Sequence, residues 1–132
     1  MKHLFTLAMA AMMVACAPKY QSIGLDEFET AIADSNVIVI DVRTPEEYYE
    51  SHIAGAVNID WKAGNFAEEA SAILPDKSQT IAVYCIHARR SKMAAECLCE
   101  QGYRHIIELA PGFEGWLNAG KPFTEGEKET QY

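Results

Sequence analysis

The sequence is short of cations, cysteines and long apolar runs. Its 132 residues carry 11 Lys and Arg against 19 Asp and Glu, a formal net charge of −8. Without a Lys/Arg cluster, an acidic chain has little with which to neutralise a phosphate backbone, which argues against nucleic acid as a partner. Four cysteines are too few for a disulfide-dense scaffold. No apolar run reaches the roughly 20 residues that span a bilayer. Internal repeats, low-complexity tracts and a linker to a second domain are also missing. What is present is ordinary globular composition, 49% apolar and 23% charged, enough at this length for one domain with its own core.

The chain opens with Met1-Lys2-His3, and Leu4 to Ala15 follows with Thr6 as its one polar residue. A basic start, a short apolar middle and small residues at the end match a secretory signal peptide. An amphipathic core helix would interrupt the run with a polar face. Met13-Val14-Ala15-Cys16 resembles the lipobox of bacterial lipoproteins, with Met13 where Leu is usual. Cleavage just before Cys16 is therefore expected. Cleavage after Ala17 would put Pro18, a tertiary amide, just beyond the scissile bond. This reading gives a signal peptide at 1–15, a short linker at 16–19, a domain at 20–125 and a polar tail at 126–132. A multiply acylated Cys16 would hold the domain at a membrane of a bacterial cell envelope, facing the periplasm or the cell surface.

Beyond that leader, strand and helix patterns alternate. Val37 to Ile40, Ala56 to Ile59, Thr80 to Tyr84 and Ile106 to Leu109 read as buried strands, and Tyr20 to Ile23 as a short one. Helices are expected at Leu25 to Ala33, Pro45 to Glu50, Phe66 to Leu74, Ser91 to Gln101 and Phe113 to Asn118. Thr44-Pro45-Glu46-Glu47 has the form of a capping box with proline at the first helical position. Gly102 stands where a glycine closes a helix. The alternation predicts an α/β fold, a mostly parallel sheet of about five strands with helices on both faces.

The chemistry concentrates where Thr80 to Tyr84 gives way to Cys85-Ile86-His87-Ala88-Arg89-Arg90 and Ser91 opens a helix. Ligands of open α/β sheets bind at the C-terminal ends of strands. A cysteine there faces backbone N–H groups and the positive end of a helix, which favour the nucleophilic thiolate. Arg89 and Arg90 add positive charge. The bland alternative is a small apolar Cys85 made inert by burial.

From about Tyr20 to Thr124 the chain resembles a single rhodanese domain. The likeness rests on Asp41-Val42-Arg43-Thr44-Pro45-Glu46-Glu47-Tyr48, His52-Ile53-Ala54-Gly55-Ala56-Val57-Asn58-Ile59, Cys85 to Ser91, and Gly112-Phe113-Glu114-Gly115-Trp116 through Ala119-Gly120-Lys121-Pro122. The resemblance implies a rhodanese-like fold and sulfur transfer. Cys85 matches the nucleophile that takes the outer sulfur of thiosulfate or a similar donor. It would hold that sulfur as a persulfide and pass it to a thiol or cyanide. Ile86, His87, Ala88, Arg89, Arg90 and Ser91 match the loop that binds the anion, and Asp41 and Arg43 match supporting positions. No metal or organic cofactor is implied.

Two other readings compete. Cell-cycle dual-specificity phosphatases share this fold with a Cys-x5-Arg loop; here the spacing is Cys-x4-Arg, and the Cys-x5-Arg position is Ser91. That spacing disfavours a phosphatase or arsenate reductase. A persulfide carrier or interaction module without turnover is the other reading, prompted by Ile86 and by Ala88 in place of the family's usual glycine. A positive φ at Ala88 would cost about 1 kcal/mol. His87 either binds an anionic donor or is a partly exposed loop imidazole. His52 is expected in a turn or core hydrogen bond, and Phe113 and Trp116 as core anchors. Cys97 and Cys99, two apart on a helix, point in different directions and should not bond each other. A zinc site from Cys85, His87, Cys97 and Cys99 lacks clean chelating pairs.

Overall fold

The computed structural model describes residues 20–126. The signal segment 1–15, Cys16 with the 16–19 linker, and residues 127–132 of the tail lie outside them. Five strands, β1 (Gln21–Ile23), β2 (Ile38–Asp41), β3 (Val57–Asn58), β4 (Thr80–Tyr84) and β5 (His105–Leu109), form one sheet in the order β1-β5-β4-β2-β3. Every pairing is parallel. Helices α1 (Leu25–Ile32), α2 (Pro45–Glu50), α3 (Phe66–Ile73) and α4 (Arg89–Glu100) lie in the four connections, and α5 (Gly112–Asn118) follows β5. The expected α/β architecture is present.

Strand alternation sends successive side chains to opposite faces. From β4, Ile81 and Val83 join a core with Phe66 and Ala70 of α3 and Ala94, Ala95 and Leu98 of α4. Ala82 and Tyr84 join the other core, with Phe28 of α1, Tyr48 of α2 and Phe113 and Trp116 of α5. Each large apolar side chain moved out of water in this way contributes about 1.5–3 kcal/mol. Phe28 meets Trp116 edge to face at 6.1 Å. The Trp116 indole N–H donates to the Pro122 carbonyl at 2.8 Å, and Thr124 exchanges backbone hydrogen bonds with His52 at 2.8 and 2.9 Å. The chain beyond α5 is thereby tied back beside α2. His52 is buried, its Nδ1 lies 2.8 Å from the Tyr48 carbonyl oxygen, and its ring stacks on Tyr48.

Several boundaries depart from the sequence reading. Helix α4 begins at Arg89, two residues before Ser91, because the left-handed turn at Ala88 already delivers the chain into helical geometry. Strand β3 keeps only Val57–Asn58 of the expected Ala56 to Ile59, and β5 starts one residue early at His105. A short 3-10 helix, Trp61–Ala63, was not expected; Asp60 caps it by accepting from the Lys62 N–H at 2.8 Å.

Candidate active site

Cys85 follows β4 directly and is 1% exposed. Its sulfur accepts from the Ser91 N–H at 3.2 Å and lies 3.3 Å from the Ser91 hydroxyl oxygen. The loop therefore closes on its own cysteine through the first turn of α4. Its other anchor is the start of α5, where the N–H groups of Phe113 and Glu114 donate to the carbonyls of Cys85 and Ile86 at 2.8 and 3.2 Å. Gly112 makes that approach possible. It has φ +68°, and a Cβ there would collide with the Ile86 carbonyl oxygen.

This anchoring orients the loop. In a planar trans peptide the C=O and the following N–H point in opposite directions. Turning the Cys85 and Ile86 carbonyls toward α5 turns the N–H groups of Ile86 and His87 away from it, to the side where both residues line a cleft. Ala88 completes the bend with φ 66° and ψ 1°, the one positive φ outside glycine among the described residues. The positive φ considered from the sequence is therefore present, at a cost of about 1 kcal/mol.

Charge around the loop is tightly distributed. Arg90 donates through both terminal nitrogens to the Glu47 carboxylate, at 2.7 and 3.0 Å. Glu47 also completes the capping box, accepting from the Thr44 N–H while Thr44 accepts the Glu47 N–H. The Arg90 hydrogen bonds, joined by those from Thr44, outweigh burial and hold the Glu47 carboxyl at a pKa of about 2. Arg90 in turn is pushed above its ordinary range, chiefly by its hydrogen bonds to Glu47. On the outer rim, exposed His87 pairs with Glu114.

Asp41 and Arg43 lie under the site, away from the cleft. Both are buried, and Arg43 spans from the Asp41 carboxylate, at 2.8 Å, to the Ser51 carbonyl, at 2.6 Å. The guanidinium sits 4.5 Å above the centre of the Phe113 ring. Burial, with Asp41 acting in the same direction, raises the Tyr84 phenol well above its ordinary range. That neutral phenol accepts the Ile53 N–H at 3.0 Å. These residues brace α2 and the ring beneath the loop.

The cleft holds about 690 Å³. Cys85 lies at its floor, Lys62, His87, Arg89 and Arg90 supply its polar wall, and Trp61, Ile86 and Met93 its apolar wall. A cationic mouth in an acidic chain suits an anionic ligand. Among the described residues, no group of three or more His, Cys, Asp or Glu is placed to hold a metal ion, and Cys97 and Cys99 are not joined to each other.

Some contributors were not foreseen. Trp61, Lys62 and Met93 reach the cleft through folding alone, and Glu47 was legible as a cap but not as the partner of Arg90. Glu108, fully buried on β5, accepts from the Ser91 hydroxyl at 2.7 Å. Its signal was present: a charged residue in the middle of an apolar strand.

Known proteins resemble both the sequence and the shape. The profile of the family described as Rhodanese-like domain matches residues 24–119. The thiosulfate sulfurtransferase PspE of Escherichia coli K12 is 45% identical over 67 residues, spanning 51% of this chain and 62% of that protein. The thiosulfate sulfurtransferase GlpE of Coxiella burnetii is 32% identical over 110 residues, 83% of this chain and 97% of the relative. A crystal structure of a rhodanese-related protein from Thermoplasma volcanium superposes with a TM-score of 0.68 at 30% identity, covering 80% of this chain and 98% of that one.

Two outcomes follow from this geometry. Glu47 is a carboxylate with a depressed pKa, so its contribution to stability is complete above its ordinary pKa of 4.5 and is lost as pH falls toward 2. Acid unfolding followed by circular dichroism should show a shallower loss over that window in Glu47→Gln; an unchanged acid limb contradicts the ion pair. At Ala88, Gly should leave the unfolding free energy within about 1 kcal/mol of the parent, since relief of the Cβ clash is offset by unfolded-chain entropy. Ala88→Val should cost more than about 1 kcal/mol by urea denaturation, because a β-branched residue tolerates positive φ poorly. A Val variant as stable as the parent contradicts the left-handed turn.

Proposed function

The chain belongs to the rhodanese-like domain family, and from that premise we propose that it is a sulfurtransferase carrying sulfane sulfur as a persulfide on Cys85. The observation that supports this most is the position of Cys85 in a cleft lined by Lys62, His87, Arg89 and Arg90, with the Ser91 N–H on its sulfur. The names of its PspE and GlpE relatives support the same reading.

The Cys85 thiolate attacks the outer sulfur of thiosulfate or a similar donor. A Cys85–sulfur bond forms, the donor's sulfur–sulfur bond breaks, and sulfite leaves with the bonding pair. The loop N–H groups, the α4 N-terminus and Arg90 stabilise the anionic persulfide and the departing sulfite. An acceptor thiolate or cyanide then attacks the outer sulfur and releases the Cys85 thiolate. The cleft is roomier than thiosulfate needs, and its apolar wall of Trp61, Ile86 and Met93 suits the body of a thiol acceptor. The Cys-x4-Arg spacing favours this reaction over phosphate chemistry.

We further propose that the domain works outside the cytoplasm, tethered through a lipidated Cys16, on the strength of the lipobox-like Met13 to Cys16 alone. Cys16→Ser should leave the protein unprocessed or soluble in fractionated bacterial cells; a processed variant still in the membrane fraction overturns the tether. The transferase reading is tested by turnover of thiosulfate with cyanide. The parent should release thiocyanate and Cys85→Ser should lose more than about a thousandfold of that rate. A folded parent that turns over phosphate esters but not thiosulfate would overturn the proposal.

A further inference from the structure

Glu108 is a fully buried acid for which the reaction above has no use. On the sheet it pairs in register with the apolar Val83 on β4 and with Ser22 on the edge strand β1. The Ser22 hydroxyl donates to one carboxyl oxygen at 2.6 Å. The Ser91 hydroxyl donates to the other at 2.7 Å, and the oxygen of that same hydroxyl lies 3.3 Å from the Cys85 sulfur, placed to accept its proton. From the segment before β1 the phenol of Tyr20 also faces Glu108; burial pushes that phenol above its ordinary range, with Glu96, Glu108 and Cys99 acting in the same direction. Among the described residues, no Lys, Arg or His forms an ion pair with Glu108.

Resting on the reading of Cys85 as a nucleophile, we infer that Cys85, Ser91 and Glu108 form a proton relay. In it Glu108, acting through the Ser91 hydroxyl, accepts the Cys85 proton. The Cys85 S–H bond breaks as a new O–H bond forms at Ser91. The original Ser91 O–H bond breaks as one forms on the nearer Glu108 carboxyl oxygen. One proton moves one place in each of two hydrogen bonds, the total charge is unchanged, and no other reactant is needed.

Negative charge leaves a buried strand position that has no ion-paired cation and arrives beside Arg90 and the first turn of α4. The Ser91 hydroxyl, now carrying the former thiol proton, donates to the thiolate alongside its own N–H. Glu108 is a positioning residue, since it touches the reacting sulfur only through Ser91.

The relay makes the titration of Cys85 a property of a pair. Between the pair's two proton-binding steps the thiolate fraction is set by the position of one shared proton and is independent of pH. The test is the rate of Cys85 alkylation by iodoacetamide, read by mass spectrometry of the Cys85 peptide after quenching and digestion, from about pH 5 to 9, on the full-length protein. It needs no sulfur donor, so the relay and the transferase reading can fail separately.

The parent should show a plateau at neutral and mildly acidic pH. Glu108→Gln keeps an acceptor for the Ser91 hydroxyl but cannot take the proton. Its rate should instead fall about tenfold per pH unit below a single ionisation. Ser91→Ala, which keeps the sequence of β5 and the Ser22 hydrogen bond to Glu108, should give the same steep profile and carries the test if Glu108→Gln does not fold. Where both fold, the double variant should fall no further than either alone. A parent with a single steep ionisation, or variants that retain the plateau, would overturn the relay. So would a Glu108→Gln profile shifted to lower pH, because Glu108 would then only be repelling the thiolate.

Discussion

Everything at the site depends on where two carbonyl groups point. The Phe113 and Glu114 N–H groups take the Cys85 and Ile86 carbonyls, and peptide planarity does the rest by presenting the next N–H groups to the cleft. Gly112 is the condition for that contact, because any Cβ would push the two segments apart. The constraint joins distant parts of the chain: β4 supplies the cysteine, α4 closes the loop on it, and α5 holds the loop from behind. Burial of Trp116 and Phe113 in the core is thus coupled to the shape of the anion cradle.

Around this frame the charges are held rather than left mobile. Glu47 fixes Arg90 from the capping box of α2, and the same helix is braced by the buried Asp41–Arg43 pair and its bond to Ser51. Ion pairs of this kind contribute less to stability than to geometry when partly exposed. Their value here lies in holding a guanidinium near the sulfur. A chain with net charge −8 would otherwise repel an anionic donor, so local positive potential must come from fixed residues.

Much of this is legible in the sequence. Strand periodicity and the Thr44 to Glu47 cap report local physics, and the architecture followed from their alternation. The Cys85 to Ser91 segment announced itself by chemistry and by its place between a strand and a helix. What stayed hidden was non-local. Nothing near Glu47 names Arg90, 43 residues away. Nothing near Ser22 or Ser91 names Glu108, although an acid inside an apolar strand was itself a clue. Helix α4 starts two residues before Ser91 because the left-handed turn at Ala88 already brings Arg89 into the helix, which the Arg89-Arg90 pair itself does not signal.

The account stands on Cys85 accepting sulfur within this loop, and intact mass spectrometry after exposure to thiosulfate tests it most directly. The parent protein should gain the mass of one sulfur atom, removable by a thiol or cyanide, and Cys85→Ser should gain nothing. A folded parent that takes up no sulfur, or a Cys85→Ser variant that still does, would contradict it.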